Sequence, residues 1–340
     1  MKPNIFTIST KELSQDAFIT WLLQWADREN EQYDKDLHLC GLDFITRLIK
    51  RKFPNAVPDV KKVVTGRQWE NIDIWAEVTD SNCNYLIIIE DKTFTGERSD
   101  QLSVYKKTAE DWCANNNSES ICIYLKTGSE PEFSLRKIQE KGYGVFSRQD
   151  FLNLLDKYER ITNDIFCDFR DRLKFLETSY SSFENKSIDD WDDLCWVGFY
   201  QVLEKEIDGL NWDAVNNPSG GFWCAVFPWE YWDGYPVYIQ IEQGSLCFKI
   251  CTDAEEVDLD ENFDRRKIRE EWSAIVLANA KLLQLKEVRR PDRFGYGKYM
   301  TVAVVDRDNW LGAGELKMDR KVVVERLNRY RDLLTKCLSN

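Results

Sequence analysis

The stretch YLIIIEDK, residues 85–92, predicts a central β-strand in the first half of this 340-residue chain. Apolar side chains fill every position from Leu86 to Ile89, which is typical of a central strand in a sheet covered on both faces. Three charged residues, Glu90, Asp91 and Lys92, then end the apolar run. Because charge at the end of a buried strand conflicts with burial, we expect a functional site there.

The preceding strand is predicted from residues 71–78, NIDIWAEV, where Ile72 and Ile74 alternate with Asp73. A period of two indicates a strand with one buried and one polar face. Only a short turn-like stretch, TDSNCN, separates the two runs. The sequence therefore predicts a hairpin that places Asp73 opposite Glu90.

Helical and strand patterns continue on both sides of this hairpin. Helices are predicted at about residues 8–30, 39–53, 99–113 and, as two helices, 149–180, and further strands at 61–64, 121–128 and 143–147. These elements predict an α/β domain over residues 1–182. The polar stretch SSFENKSIDD, 181–190, is the candidate boundary, and residues 183–340 are predicted to form a second, α+β domain for substrate or partner recognition.

The composition excludes several classes of protein. A single histidine rules out Ser/His/Asp triads and multi-histidine zinc sites. The formal net charge of −13 argues against a protein that coats nucleic acid through excess Lys and Arg. The longest uncharged stretch, 214–229, contains two prolines and cannot form a membrane span, and the N-terminal residues lack an apolar secretory run, so a cytoplasmic protein is expected.

Asp73, Glu90 and Lys92 predict a metal site that hydrolyses phosphodiesters. Converging carboxylates repel unless a cation or a proton lies between them, and Mg²⁺ prefers oxygen ligands. Asp73 and Glu90 are therefore predicted metal ligands, with the backbone carbonyl of Asp91 completing the coordination and Lys92 orienting the attacking water. The alternative is a solvated Asp73 beside a simple Glu90–Lys92 salt bridge.

Asp73 followed by Glu90-Asp91-Lys92 resembles the PD-(D/E)XK nuclease superfamily, although Ile72 replaces the proline of that motif. Gln101 and Tyr105 match the Gln-x-x-x-Tyr element of the RecB-like branch. The resemblance covers about residues 1–180. It implies a restriction-endonuclease-like mixed central sheet flanked by helices, Mg²⁺ as cofactor with Mn²⁺ as a substitute, and DNA as substrate.

The resemblance also implies roles for individual residues. Glu12, with Asp16 as the fallback, matches an acid on the first helix and is expected to be an outer or second metal ligand. Gln101 and Tyr105 are expected to support DNA binding. The alternatives are a capping box of Ser9 with Glu12 and an ordinary surface pair of Gln101 with Tyr105.

Two arginines flank the predicted strands, and Arg67 and Arg98 are therefore predicted phosphate contacts. The main prediction is a Mg²⁺-dependent deoxyribonuclease, and the family's habits suggest bacterial defence. One alternative is a catalytically inactive nuclease-fold module that binds nucleic acid, or a protein partner through the C-terminal domain. Another is a hydrolase of smaller phosphodiesters. The sequence leaves open whether the chain forms a homo-oligomer.

Overall fold

The computed structural model describes residues 3–97, 100–215, 221–257, 264–295 and 297–339. The chain divides into two compact units, Met1–Thr178 and Ser179–Asn340. In the described part of the chain, no helix has the length and apolar character that a bilayer crossing requires.

The first unit contains both helices and strands, and those that the sequence pattern predicts occur in the predicted order. Its helices are α1 (Ile5–Ile8), α2 (Glu12–Gln24), α3 (Lys35–Ile49), α4 (Gln101–Asn116), α5 (Glu132–Glu140), α6 (Arg148–Lys157) and most of α7 (Asp164–Ser181). Its strands are β1 (Val60–Trp69), β2 (Ile72–Asp80), β3 (Asn84–Lys92), β4 (Ser118–Lys126) and β5 (Gly144–Ser147).

The strands form one five-stranded sheet in the order β1-β2-β3-β4-β5. Strand β2 pairs with β1 and β3 antiparallel, whereas β3–β4 and β4–β5 are parallel. The central position of β3 explains why its side chains are buried on both faces. The predicted mixed central sheet is confirmed.

Helices cover both faces of this sheet. On one face, Leu102 and Tyr105 of α4 pack in a core cluster with Leu86 and Ile88 of β3. On the other face, α2 contacts β1, β2 and β3. Because successive strand residues point to opposite faces, residues 86, 88, 90 and 92 of β3 face α4, and residues 87, 89 and 91 face α2. The sheet therefore separates two environments at the end of β3.

The second unit is built around an antiparallel sheet in the order β11-β10-β9-β7-β6, with β8 paired to β9, which confirms the predicted second α+β fold. Its strands are β6 (Asn211–Val215), β7 (Phe222–Val226), β8 (Glu230–Trp232), β9 (Tyr235–Glu242), β10 (Ser245–Cys251) and β11 (Tyr299–Asp306). Its helices are α8 (Asp193–Glu206), α9 (Arg265–Leu282), α10 (Arg307–Trp310) and α11 (Arg320–Leu338).

Two short helices of the first unit, α1 and α5, were not predicted. Helix α5 shows why: Ile138 is its one buried residue, so its apolar periodicity is weak. The first long helix is also shorter than predicted. It begins at Glu12 and ends at Gln24, and a 3₁₀ helix at Arg28–Gln32 follows.

Candidate active site

Strand β3 carries its three charged residues into the interior of the first unit. Glu90 is 2% exposed, Asp91 is 0% exposed and Lys92 is 9% exposed. Glu90 and Lys92 share the face covered by α4, while Asp91 points to the face covered by α2. Charged groups buried this deeply need partners, so their contacts decide what the site can do.

Asp73 lies across from Glu90 on the neighbouring strand. The β2–β3 register pairs Ile74 with Ile89, and its continuation by one residue places Asp73 opposite Glu90. Lys92 Nζ donates a hydrogen bond to Glu90 Oε1 and lies 3.6 Å from Asp73 Oδ2. One ammonium group therefore bridges two carboxylates that come from different strands.

Burial and the negative charge of Asp73 raise the pKa of Glu90 to about 7, although the hydrogen bond and charge of Lys92 act in the opposite direction. For Lys92, burial alone would lower the pKa. The hydrogen bond and charge of Glu90, together with Asp73, outweigh burial and raise it. Lys92 is therefore a cation at neutral pH, and Glu90 holds a proton more readily than a solvated carboxyl group.

Helix α4 brings both members of the Gln-x-x-x-Tyr pattern to this carboxylate. Gln101 Nε2 donates hydrogen bonds to Glu90 Oε1 at 3.0 Å and to the Tyr105 hydroxyl at 2.7 Å. The two helix residues are one turn apart and face the sheet together. The interpretation of Gln101 and Tyr105 as an ordinary surface pair is therefore wrong.

Glu12 begins α2 and contacts the loop that follows β3. Its Oε1 accepts hydrogen bonds from the Thr93 backbone N–H and from Thr95 Oγ1, both at 2.9 Å. The N-cap of α2 is Lys11, without a side-chain cap bond, so the capping-box interpretation with Ser9 is wrong. Among the described residues, no three or more His, Cys, Asp or Glu side chains are grouped to hold a metal ion.

Of the two predicted phosphate contacts, Arg67 lies in the described part of the chain. Arg67 is exposed on β1, and its Nη1 donates a hydrogen bond of 3.3 Å to the backbone carbonyl of Leu13, close to Glu12. The start of α2 thus places this guanidinium beside the loop after β3. Arg98 lies outside the described residues.

Gln68 is a site neighbour that sequence reasoning missed. Its Nε2 is 3.5 Å from Asp73 Oδ1, so each of the two carboxylates has a glutamine amide beside it. Gln68, Glu70 and Asn71 adopt positive φ angles of 56°, 50° and 67°. Left-handed backbone is unfavourable for Gln and Glu, and such strain concentrates at functional sites. Asn71 was the available turn signal, but it does not reveal a side-chain contact.

A second set of polar groups lies on the other face of β3 and includes Asp16, the fallback for Glu12; sequence reasoning missed its Gln15 member. Gln15 Nε2 donates a hydrogen bond of 2.5 Å to Asp91 Oδ1. Burial and the charge of Asp73 raise the pKa of Asp16, the next residue along α2, to about 6. A hydrogen bond with Asp91 acts in the opposite direction and lowers this pKa. Burial and the charge of Asp16 raise the pKa of Asp91 as well. The helical spacing of Gln15 to Ile19 was the signal that its side chain faces the core.

Comparison with known proteins gives one match, to a family model. No curated protein and no solved structure matches the chain. The model of the PD-(D/E)XK nuclease superfamily matches residues 3–201, more than half of the chain, and this range contains the carboxylates, Lys92 and α4. The chain therefore belongs to the PD-(D/E)XK nuclease superfamily, a family of nucleases whose members usually use divalent metals.

Proposed function

We propose that this protein is a metal-dependent nuclease that hydrolyses DNA phosphodiester bonds, with Asp73 and Glu90 as metal ligands. The observation that carries the proposal is the contact of these two carboxylates, from neighbouring strands, with the single ammonium group of Lys92. Burial of Glu90 and Lys92 beside the partly exposed Asp73 is costly to fold and is suited to chemistry on a charged substrate.

The donor atoms fit a hard divalent cation. Glu90 Oε2 is buried and has no hydrogen-bond partner, which leaves one carboxylate oxygen free for a ligand. Carboxylate and carbonyl oxygens suit Mg²⁺, and Mn²⁺ accepts similar donors. We propose Asp73, Glu90 and the backbone carbonyl of Asp91 as ligands, with Glu12 in an outer position. A bound cation there would supply polarisation of a phosphoryl oxygen and a more acidic water.

Lys92 and Gln101 have distinct proposed roles. The raised pKa of Lys92 keeps its Nζ a hydrogen-bond donor, which can orient the attacking water and stabilise negative charge on the phosphate. Gln101 donates to the Glu90 oxygen that also accepts from Lys92, so it holds that carboxylate in place from α4. Tyr105 in turn fixes the Gln101 amide.

The proposed DNA contacts include two arginines and one aromatic ring. Arg67 is exposed beside the start of α2 and is proposed to bind a phosphate. Arg98, which lies outside the described residues, is proposed as a second phosphate contact from the sequence alone. Phe94 is 53% exposed, two residues after Lys92. Its loop is fixed by the Glu12 bonds to Thr93 and Thr95, so this ring is proposed to stack on a base near the cleaved bond.

Cleavage assays test the proposal. The parent protein and Lys92→Ala are incubated with linear, circular and single-stranded DNA in Mg²⁺ or Mn²⁺, with EDTA as the metal-free control. We expect metal-dependent cleavage by the parent and a loss of about 10²–10³ in kcat for Lys92→Ala. Lys157→Ala, which removes an exposed lysine paired with Asp43 at 2.8 Å, is the matched control and should cleave normally. Equal rates for parent and Lys92→Ala would contradict the assignment.

A second candidate is a nuclease-fold module that binds nucleic acid without cleaving it, or binds a protein through the second unit. The observation in its favour is that Lys92 already neutralises Glu90, and that the described residues contain no group of three metal-ligand side chains. The same DNA samples distinguish the two. Tight complex formation without cleavage in either metal would favour the module.

A further inference from the structure

The side chain of Asp91 does not face the proposed reaction centre, yet it is the most deeply buried of the three charged residues of β3. It lies on the face covered by α2, where Gln15 Nε2 donates a hydrogen bond of 2.5 Å to Asp91 Oδ1. An apolar side chain would fill this space without the cost of burying an acid. A specific use of the acid is therefore needed to explain its presence.

The oxygen of the Gln15 amide also has a hydrogen-bond partner. Thr127 Oγ1 donates a hydrogen bond of 2.8 Å to Gln15 Oε1, and Arg148 Nη1 donates one of 2.7 Å to the Thr127 backbone carbonyl. Both ends of the Gln15 amide are thus engaged, and all these groups are buried. The amide connects α2 and the end of β4 to Asp91, so the Asp91 side chain has little freedom to move.

The backbone of the same residue belongs to the proposed site. The Asp91 N–H donates a hydrogen bond of 3.1 Å to Asp73 Oδ2, and the Asp91 carbonyl accepts one of 3.2 Å from Lys92 Nζ. The Asp91 side chain is anchored on one face of the sheet. It therefore fixes the backbone N–H and carbonyl of the same residue, which contact Asp73 and Lys92 on the other face.

We propose that Asp91 is a positioning residue for the nuclease reaction, with Gln15 as its anchor. This inference rests on the proposed function, since it assigns Asp73 and Lys92 the roles given above. It predicts that the hydrogen-bonding capacity of the residue 91 side chain matters, and that its negative charge does not.

Substitutions at residue 91 separate these properties. Asp91→Asn keeps an oxygen that accepts from Gln15, whereas Asp91→Leu keeps the volume and removes the acceptor. We expect Asp91→Asn to retain kcat within about threefold, and Asp91→Leu to lose about 10² in kcat with KM changed less than about threefold, because a small displacement of reacting groups is costly. Gln15→Met removes the anchor without altering the strand and should lower kcat in the same direction. If Asp91→Leu does not fold, Gln15→Met still tests the proposal.

Hydrogen exchange of the peptide covering residues 88–93 gives a readout that does not depend on activity. Without metal, exchange should be faster in Asp91→Leu and Gln15→Met than in the parent, and close to the parent rate in Asp91→Asn. Asp80→Asn is the matched control, since Asp80 is a buried carboxylate at the other end of β2 that accepts from the Asn82 N–H at 2.9 Å. It should leave exchange at 88–93 and kcat unchanged.

Two results would overturn the positioning role. Parent-like kcat and exchange in both Asp91→Leu and Gln15→Met would show that the contact is not needed. An inactive Asp91→Asn with parent-like exchange would assign chemistry to the carboxylate instead. If the parent cleaves no DNA, the proposed function fails, but faster exchange in Asp91→Leu and Gln15→Met would still support the positioning of the peptide.

Discussion

Gln101 Nε2 donates a hydrogen bond of 3.0 Å to Glu90 Oε1, which joins the helix after the central strand to the carboxylate at the end of that strand. The same oxygen accepts from Lys92. Two donors therefore fix one oxygen of Glu90, and the other oxygen has no hydrogen-bond partner. Under the proposed function, we expect this asymmetry to make metal binding by Glu90 sensitive to changes in α4.

Replacement of Gln101 by leucine should lower kcat about tenfold, because Glu90 loses one of the donors that orient it. The rate of DNA cleavage in Mg²⁺ measures the effect. Gln149→Leu is the control, since Gln149 is exposed on α6 and bonds only to Asn153 among the contacts described for its side chain. A Gln101→Leu enzyme as fast as the parent would show that Lys92 alone orients the carboxylate.

Metal affinity should rise with pH through about 7, the raised pKa of Glu90. A metal ligand must lose its proton, so protonated Glu90 competes with the cation at lower pH. We expect Mn²⁺ to bind about tenfold more tightly at pH 8 than at pH 6, as measured by calorimetry, and Glu90→Gln to bind weakly at both. An affinity that stays constant between these pH values would contradict the role of Glu90 as a ligand.

Asp16 should make the metal-free protein less stable at higher pH. Its pKa in the folded state is about 6, above the ordinary value of 3.8, so the folded state binds this proton more tightly. The stabilising contribution is complete below about pH 4 and is lost as the pH rises through about 6. Asp16→Asn should therefore be more stable than the parent at pH 8 by roughly 1–3 kcal/mol.

Urea denaturation in EDTA at pH 5 and pH 8 measures this difference. Asp111→Asn, which removes an exposed carboxylate from α4, controls for the loss of one negative charge. If Asp16→Asn shows the same change in unfolding free energy between the two pH values as the parent, Asp16 does not hold the proton.

Gly66→Ala should destabilise the first unit by about 1–3 kcal/mol, because an added Cβ would lie 2.5 Å from the Trp75 ring and force it to move. The free energy of unfolding in urea checks this. Gly244→Ala is the matched control, since its Cβ would have no atom within 4 Å. Equal stabilities would mean that the Trp75 ring moves at no cost.

Phe94→Ala should raise KM for single-stranded DNA by about tenfold, because base stacking on an aromatic ring is worth about 1–3 kcal/mol. The kcat should change little, since Phe94 is not assigned a part in the chemistry. Tyr33→Ala is the control: Tyr33 is 75% exposed and follows the opposite end of α2 from Glu12. A parent-like KM in Phe94→Ala would exclude stacking at this position.

Local periodicity was enough to predict much of the site. Alternation in β2 and β3 placed Asp73, Glu90 and Lys92 on one side of the sheet and Asp91 on the other, because the side-chain period of a strand is fixed by backbone geometry. The four-residue spacing of Gln101 and Tyr105 likewise predicted a shared helix face. The short turn between the strands predicted the hairpin.

The amino-acid pattern therefore predicts the strands, their faces and the pairing of Asp73 with Glu90. Three contacts become visible only in the folded chain: Gln101 of α4 with Glu90, Glu12 with the loop at Thr93, and Gln15 of α2 with Asp91. Backbone periodicity acts over a few neighbouring residues, whereas these contacts join residues 11, 81 and 76 positions apart, so they depend on how helices pack across the sheet.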